Sequence, residues 1–188
     1  MCGISAIICK DQNQNSIHLL LQSLGQLQNR GYDSFGISCI TSTNQFHVRK
    51  TACLDQTRDN FKQFSNELHN LNANISIGHT RWATHGIISE ENAHPHISHS
   101  GKLSLIHNGI IENYKLLKKE LINNGITFKS DTDSEVIVNL IDYYYDTQKE
   151  DIEDAIKMAV SRLEGTYGLI IQCLDNNTSL YIIRNGSP

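Results

Sequence analysis

Proline and tryptophan are scarce in this sequence, which has two prolines and one tryptophan among 188 residues. Only Pro95 and Pro188 interrupt the backbone, and no internal repeat, low-complexity tract or linker is evident. No apolar stretch approaches the ~20 residues of a membrane span, and no basic segment followed by a long apolar run indicates a secretory signal. The net charge of −4 offers no basic surface for a nucleic acid. Composition therefore favours one globular domain with neither a membrane nor a nucleic acid as partner.

Cysteine is present in odd number and without paired spacing. The five cysteines are Cys2, Cys9, Cys39, Cys53 and Cys173. Such a set does not predict a disulfide framework, and we expect most of them to be small core residues. A reducing, cytoplasmic setting fits this pattern and would also keep a free thiol reactive.

Apolar periodicity predicts strands early and late in the chain, with helices between them. Residues 3–9 read as a buried strand, and apolar side chains at helical spacing between Ile17 and Leu27 predict a helix that ends near Gly31. Further strands are predicted at 35–40, 46–50, 74–80, 103–109, 167–174 and 179–184, and further helices at 54–71, 114–123 and 152–163. Thr132 and Glu135 have the spacing of a capping box that opens one more helix. This order predicts an α/β (α+β) layered domain with largely antiparallel sheets.

A polar, histidine-rich segment at residues 81–100 is long for a connection and has no regular period, which is typical of functional or disordered loops. At its start, HTRWATHG places Arg81 and Trp82 where a strand opens into a loop. The guanidinium fork of arginine matches a carboxylate with two parallel hydrogen bonds. Arg81 is therefore a candidate substrate clamp, with an ordinary surface arginine as the alternative.

Two further positions allow both a structural and a catalytic interpretation. Asn108 and Gly109 end a predicted strand, and Asn-Gly is a common tight-turn pair. The same pair can direct a side-chain amide and a backbone N–H at one point, which would form an oxyanion hole. Asp133 lies in the first turn of a predicted helix, where the helix dipole favours an acid, and it could equally hold the ammonium group of a substrate.

The sequence HPHISH contains three closely spaced histidines, His94, His96 and His99. Three histidines can bind zinc, but no acidic or cysteine ligand accompanies them at a familiar spacing. We therefore expect ordinary loop histidines, with no metal and no other cofactor.

Cys2 directly follows the initiator methionine. If Met1 is removed, Cys2 gains a free α-amino group, and in model peptides this group and a thiol titrate within about one pH unit of each other. An N-terminal amine can then serve as the base that activates the nucleophile of its own residue. Cys2 is thus a candidate nucleophile that needs no separate triad.

With these positions in view, the chain resembles the glutaminase domain of the glutamine–fructose-6-phosphate aminotransferase family. The segments MCGI, NRGYDSFG, HTRWATHG, NAHPH, HNGIIENY and SDTDSEVI carry the resemblance, in that order and over essentially the whole chain. The wider group is that of amidotransferases with an N-terminal cysteine. The resemblance implies their N-terminal nucleophile (Ntn) hydrolase fold, a four-layer αββα arrangement of two antiparallel sheets between helical layers, here spanning residues 2–188.

The resemblance also implies a role for each matching position. Cys2 would attack the side-chain amide of L-glutamine while its own α-amino group carries the proton, and Asn108 and Gly109 would hold the oxyanion. Arg81 would bind the substrate α-carboxylate and Asp133 its α-ammonium group. The segment that closes over bound glutamine would comprise Trp82, Thr84, His85 and Gly86, with His94 packed beside it, and the nucleophile would be positioned with help from Arg30 and Gly31.

The family's sugar-isomerase half, which binds fructose 6-phosphate and receives the ammonia, has no counterpart in this sequence. We therefore expect a piece of a longer, homo-oligomeric enzyme that makes glucosamine 6-phosphate, with a monomeric state open for this domain alone. Two alternatives remain at this point. One is the glutaminase domain of another amidotransferase, or an amide hydrolase, on the same fold; the other is a catalytically silent binding module.

Overall fold

The computed structural model describes residues 2–11, 14–31, 33–53, 59–82 and 87–186. The strands in these ranges are β1 (Gly3–Ile8), β2 (Ser34–Ile40), β3 (Phe46–Ala52), β4 (Ile75–Arg81), β5 (His96–Ile97), β6 (Leu103–Ile111), β7 (Gly165–Cys173) and β8 (Asn176–Asn185). The helices are α1 (Ser16–Gln26), α2 (Asp59–Glu67), α3 (Tyr114–Asn123), α4 (Asp133–Asp142) and α5 (Ile152–Val160), with a 3-10 turn at Gln28–Arg30 and a π-helical turn at Tyr143–Thr147.

The strands form two antiparallel sheets of four strands each. The first sheet has the order β1-β4-β2-β3, and the second has the order β5-β6-β7-β8. In the first sheet β4 pairs with both β1 and β2, so that Gly3 lies opposite Thr80 and Ser34 lies opposite Arg81. In the second sheet β6 pairs with β7, and Asn108 lies opposite Gly168.

Three apolar clusters show that the two sheets lie between two helical layers. One cluster joins α1 and α2 to β2, and within it the Phe35 ring of β2 lies 5.1 Å from the Phe61 ring of α2, measured between centroids. A larger cluster joins α3, α4 and α5 to β6 and β7. A small cluster of Ile77, Ile106 and Ile170 lies between the sheets. This four-layer αββα order confirms the predicted fold class.

No helix within the described ranges is both long enough and apolar enough to cross a membrane.

The predicted elements are present, with differences at their ends. The first helix ends at Gln26 and continues as the 3-10 turn. The helix predicted over 54–71 is α2 and ends at Glu67, while residues 54–58 lie outside the described ranges. The strand predicted to end at Gly109 continues to Ile111. Periodicity missed β5, which has two residues, and the π-helical turn after α4.

The capping box at the start of α4 is only half confirmed. The Thr132 hydroxyl accepts the Glu135 backbone N–H at 3.2 Å, as expected of an N-cap. The Glu135 carboxylate does not reach back to Thr132. It accepts the backbone N–H groups of Lys129 at 2.8 Å and Ser130 at 2.6 Å instead. Glu135 is buried, and it stabilises the turn that leads into α4 because these donors replace the water that its carboxylate loses.

The described part of the histidine-rich segment is attached by hydrogen bonds to the first sheet and to α4. Lys50 on β3 donates to the Ala93 carbonyl at 2.9 Å. Gly36 on β2 permits close approach, since a Cβ there would lie 1.9 Å from the His94 carbonyl oxygen. On the opposite side Asp142 of α4 accepts the Ser98 hydroxyl at 2.9 Å. These contacts fix His94 and His96 inside the molecule.

His94 and His96 are therefore not ordinary loop histidines. Together with His79 of β4 and His107 of β6 they form a buried set, the histidine cluster. The His94 ring lies 4.2 Å from the His79 ring and 4.9 Å from the His96 ring, measured between centroids. Burial lowers the pKa of all four imidazoles, that of His79 to about 4, because the charged form is poorly solvated there. The cluster is therefore neutral at pH 7.

The neutral cluster makes stability depend on pH. In the unfolded chain these histidines bind protons near their ordinary pKa of ~6.5, whereas the folded chain resists protonation until near pH 4 at His79. The unfolded state therefore binds more protons in this window, and the free energy of unfolding should fall as pH drops from about 6.5, by up to about 1.4 kcal/mol per pH unit for each such histidine. Denaturant unfolding at about pH 7, 6 and 5 measures the slope.

His47 provides a control because it is an exposed histidine on β3. The variant His47→Gln should retain the same pH slope as the parent chain. A free energy of unfolding that stays constant between about pH 7 and pH 5 would contradict a neutral buried cluster.

Candidate active site

The pairing of β1 with β4 holds Cys2 at the end of β4. Gly3 opposes Thr80, so the residue before β1 reaches the residues that follow β4. The Trp82 backbone N–H donates to Cys2 Sγ at 3.2 Å. The Cys2 side chain is partly exposed. The cysteine therefore occupies an ordered, accessible position.

Arg81 ends β4 and is buried, with 6% of its surface exposed. Burial lowers the pKa of its guanidinium, while Cys2, Asp33 and Asp133 act in the opposite direction. Gly31 packs directly on this backbone, since a Cβ there would lie 2.6 Å from the Arg81 carbonyl carbon. A side chain at position 31 would therefore displace Arg81.

Asn108 and Gly109 lie within β6 and not at a turn, so the turn interpretation is wrong. Gly109 has φ of 135°, and a Cβ there would lie 2.0 Å from the Thr166 carbonyl oxygen. Only glycine fits this conformation next to β7. The Asn108 amide donates from Nδ2 to the Cys2 carbonyl at 3.2 Å, and its Oδ1 lies 2.9 Å from His79 Nε2. Asn108 is therefore held directly beside the cysteine.

Asp133 is the first residue of α4, and its carboxylate lies across the end of β6. Its Oδ2 accepts the Ile111 backbone N–H at 2.9 Å, and its Oδ1 lies 3.8 Å from His107 Nδ1. The next residue, Ser134, has its hydroxyl 2.7 Å from His94 Nε2 and 2.9 Å from His107 Nδ1. The start of α4 is thus attached both to β6 and to the histidine cluster.

These residues line one cavity of ≈ 230 Å³ between the ends of β4, β6 and α4. Its lining contains seven of the residues selected from the sequence: Cys2, Arg81, Trp82, His94, Asn108, Gly109 and Asp133. It further contains Asp131, Thr132, Ser134, His107, Ile110, Ile111, Glu112 and Tyr114.

The remaining predicted site residues either lie away from the cavity or fall outside the described ranges. Arg30 lies in the 3-10 turn after α1, is exposed and does not line the cavity. Thr84, His85 and Gly86 lie outside the described residues. His99 is exposed, with Nδ1 3.2 Å from the Thr127 hydroxyl. In the described ranges no group of histidine, cysteine and acidic side chains has the arrangement of a metal site.

The sequence interpretation missed His79, His107 and Ser134. Both histidines precede residues that it did select, since His107 adjoins Asn108 and His79 lies two residues before Arg81. No local pattern marks them, because their proximity arises from the packing of one sheet on the other. The segments HNGIIENY and SDTDSEVI contain all six of the other missed lining residues.

The cavity combines a thiol with groups of opposite charge. A guanidinium and a carboxylate can bind the two charged ends of a free α-amino acid. An asparagine amide beside the sulfur can donate to an oxygen that becomes negative during acyl transfer. The arrangement therefore suits nucleophilic attack on an acyl group carried by an amino acid.

Comparison with known proteins agrees with this chemistry. A family model described as a glutamine amidotransferase domain matches residues 79–187. The glutamine–fructose-6-phosphate aminotransferase (isomerizing) of Caldanaerobacter subterraneus is 42% identical over 188 residues, covering 100% of this chain and 29% of that protein. The enzyme of the same name from Pyrococcus horikoshii is 40% identical over 190 residues, covering 100% of this chain and 30% of its own length. The chain thus spans about three-tenths of the curated relatives.

Solved structures share the fold. Glutamine phosphoribosylpyrophosphate amidotransferase from B. subtilis superposes with a TM-score of 0.71 at 26% identity, over 93% of this chain and 35% of its own. A structure described as the allosteric regulatory enzyme of purine biosynthesis superposes with a TM-score of 0.75 at 26% identity. The superposition covers 98% of this chain and 37% of that chain. These similarities confirm the Ntn hydrolase fold. By sequence, fold and cavity, the chain belongs to the glutamine amidotransferase domain family.

Proposed function

We propose that this chain is a glutaminase domain, formed by residues 2–188, that hydrolyses L-glutamine to glutamate and ammonia. The observation that carries the proposal is the single cavity in which Cys2, Arg81, Asn108, Gly109 and Asp133 meet. A thiol alone would fit many functions. A thiol with a fork for a carboxylate, an acceptor for an ammonium group and an amide donor fits an amino acid with an acyl side chain.

The proposed reaction begins at sulfur. Removal of Met1 frees the α-amino group of Cys2, which takes the thiol proton. Sγ then forms a bond to the glutamine side-chain carbonyl carbon, and the carbonyl oxygen becomes an alkoxide. The C–N bond breaks as the α-ammonium group returns the proton to the leaving nitrogen, and ammonia departs. Water then hydrolyses the thioester to glutamate and restores the thiol.

The binding groups act at the other end of the substrate. Arg81 pairs with the α-carboxylate, and Asp133 accepts the α-ammonium group. Because Asp133 Oδ2 already accepts the Ile111 N–H, its carboxylate is oriented before the substrate arrives, which lowers the entropy cost of binding. Trp82, with 44% of its surface exposed, lies at the cavity and would cover bound glutamine together with Thr84, His85 and Gly86.

The wider role follows from the relatives. The relatives are named for amino transfer to fructose 6-phosphate, so we propose that ammonia from this domain supplies glucosamine 6-phosphate synthesis through sugar-binding domains beyond this sequence. All five cysteines are free thiols, which supports a proposed location in the reducing cytoplasm. The full-length enzyme would be a homo-oligomer.

The nucleophile is tested by Cys2→Ala. The variant should release no ammonia from glutamine above background, while its circular dichroism and melting temperature remain near those of the parent because Cys2 is partly exposed and outside the core clusters. Cys9→Ala is the matched control and should turn over normally, since Cys9 does not line the cavity. Intact mass of the parent checks that Met1 is removed. Near-normal turnover by Cys2→Ala would mean that another residue is the nucleophile and would overturn the proposal.

The binding groups are tested by Arg81→Lys and Asp133→Asn. Lysine keeps the charge but loses the fork, and asparagine loses the charge while its Oδ1 can still accept the Ile111 N–H. Hydrogen bonds to charged groups contribute ~1.5–3 kcal/mol, so KM for glutamine should rise about 10- to 100-fold with a smaller change in kcat. Arg49→Lys, on an arginine that pairs with Glu67 outside the cavity, should leave KM unchanged. Equal activity on glutamine and on a simple amide without α-groups would refute both roles.

The oxyanion donor is tested by Asn108→Ala. Loss of one such donor costs ~10²–10³ in turnover, and it should leave KM nearly unchanged because the charge develops only in the transition state. Asn185→Ala removes an amide from β8 outside the cavity and should turn over normally. Turnover is compared with the folded fraction from thermal melting. A destabilised Asn108→Ala whose folded fraction turns over normally would leave Asn108 with a structural role only.

A further inference from the structure

Asn108 is held at both ends of its side-chain amide. Its Nδ2 donates to the Cys2 carbonyl at 3.2 Å. Its Oδ1 lies 2.9 Å from Nε2 of His79, a residue of β4 on the facing sheet. Asn108 Oδ1 can only accept a hydrogen bond, so His79 Nε2 must carry the proton. The second N–H of Nδ2 is then the donor that the amide can offer to the cavity.

We propose that His79 is a positioning residue for the amide hydrolysis reaction: its Nε2–H fixes the Asn108 amide so that Nδ2 faces the reacting oxygen. This inference rests on the proposed function, because it takes Asn108 as a donor to the oxyanion. It assigns to His79 a part in the reaction without contact with substrate.

The orientation of the amide matters because its two ends have nearly the same shape and opposite polarity. Nδ2 donates two hydrogen bonds, and Oδ1 only accepts them. A rotation of the amide by half a turn would direct Oδ1 at the developing alkoxide and replace an attraction by a repulsion. Without a donor on β4, Asn108 Oδ1 would also be left without its partner in a partly buried position, which favours such a rotation.

His79 is well fixed for this task. It lies in a strand paired on both sides, opposite Ile4 of β1 and Gly36 of β2, and only 1% of its surface is exposed. The His94 ring packs on it at 4.2 Å between centroids, and His94 is in turn hydrogen-bonded to Ser134 of α4. An imidazole held in this way can present its donor in one direction only.

The cluster also supplies the protonation state that the proposal needs. Burial lowers the pKa of His79 to about 4, so the ring is neutral at pH 7 and carries a single proton. That proton lies on Nε2, because the facing atom accepts. A neutral ring also avoids placing a second positive charge near the Arg81 guanidinium.

Three variants separate the donor from the ring. His79→Phe and His79→Met remove the N–H donor and replace the imidazole by an apolar side chain of similar size. The methionine side chain is flexible enough to fill an irregular space. His79→Gln keeps an N–H donor at a similar reach. We expect kcat for glutamine to fall about 10- to 100-fold in the first two, somewhat less than the ~10²–10³ for loss of the donor itself. KM should change by less than about threefold, and His79→Gln should recover most of kcat.

Gln172→Leu is the matched control. Gln172 is another buried polar side chain on an inner strand, and its amide contacts the Ile75 carbonyl far from the cavity lining. Its loss should leave kcat and KM unchanged. Normal kcat in His79→Phe and His79→Met would overturn the proposal. Equal loss in His79→Gln would overturn it as well, since the donor would then be irrelevant.

A double variant tests whether His79 acts through Asn108. If it does, His79→Phe should cost little further kcat in the Asn108→Ala background. An equal loss in both backgrounds would overturn the inference. Normal turnover by Asn108→Ala alone would instead refute the oxyanion role of Asn108 in the proposed function. Slow Asn108→Ala with normal His79→Phe would refute only the role of His79.

The tautomer provides a readout that does not depend on apolar variants. Nitrogen-15 NMR spectra of the parent chain are recorded at neutral pH, and the His79 imidazole signals are assigned as those lost in His79→Gln. They should show a protonated Nε2 and an unprotonated Nδ1. The opposite tautomer would overturn the proposal because Nε2 could not then donate.

Discussion

The antiparallel pairing of β1 with β4 is the constraint on which the site depends. A residue next to the start of a chain is ordinarily frayed, yet the ladder from Gly3 to Thr80 carries Cys2 to the end of β4. There Trp82 donates to its sulfur, and Arg81 is the neighbouring residue. One ladder therefore places the proposed nucleophile and the proposed carboxylate-binding group at the same end of the same sheet. The second sheet then needs to supply only an amide donor and an acid.

The second sheet supplies them through β6 and the helix that packs on it. Asn108 faces the first sheet, whereas Asp133 at the start of α4 binds the backbone of Ile111 on β6. The groups proposed to hold the substrate and the groups proposed to stabilise the transition state thus lie on different elements. This separation is the reason that substitutions at Arg81 and Asn108 should affect KM and kcat differently, since each contact can be lost without moving the other.

Sequence reasoning succeeded where the signal is local. Period and length identify the strands and helices, because burial of one face imposes them, and the motifs around Cys2, Arg81, Asn108 and Asp133 select residues that share one cavity. It failed where the cause is distant in sequence. The Asn-Gly pair of β6 reads as a turn, but pairing with β7 and the close approach of Thr166 hold Gly109 in a strand at positive φ. Glu135 binds the turn before α4 because that turn folds over it, which the spacing of a capping box does not encode.

The burial of the histidine cluster could not be predicted from the sequence either, because it depends on contacts between distant parts of the chain. From sequence, His94 and His96 belong to a polar loop, yet Gly36 and Lys50 bring that loop against the sheet and bury them. Burying four imidazoles near an arginine would be prohibitive if they were charged, so the cluster persists only in its neutral form. A neutral imidazole has one donor and one acceptor, and packing in a closed layer determines which nitrogen carries the proton. The cluster costs stability at acid pH, and in return it holds a donor of fixed direction on Asn108, which an exposed and freely titrating side chain could not do.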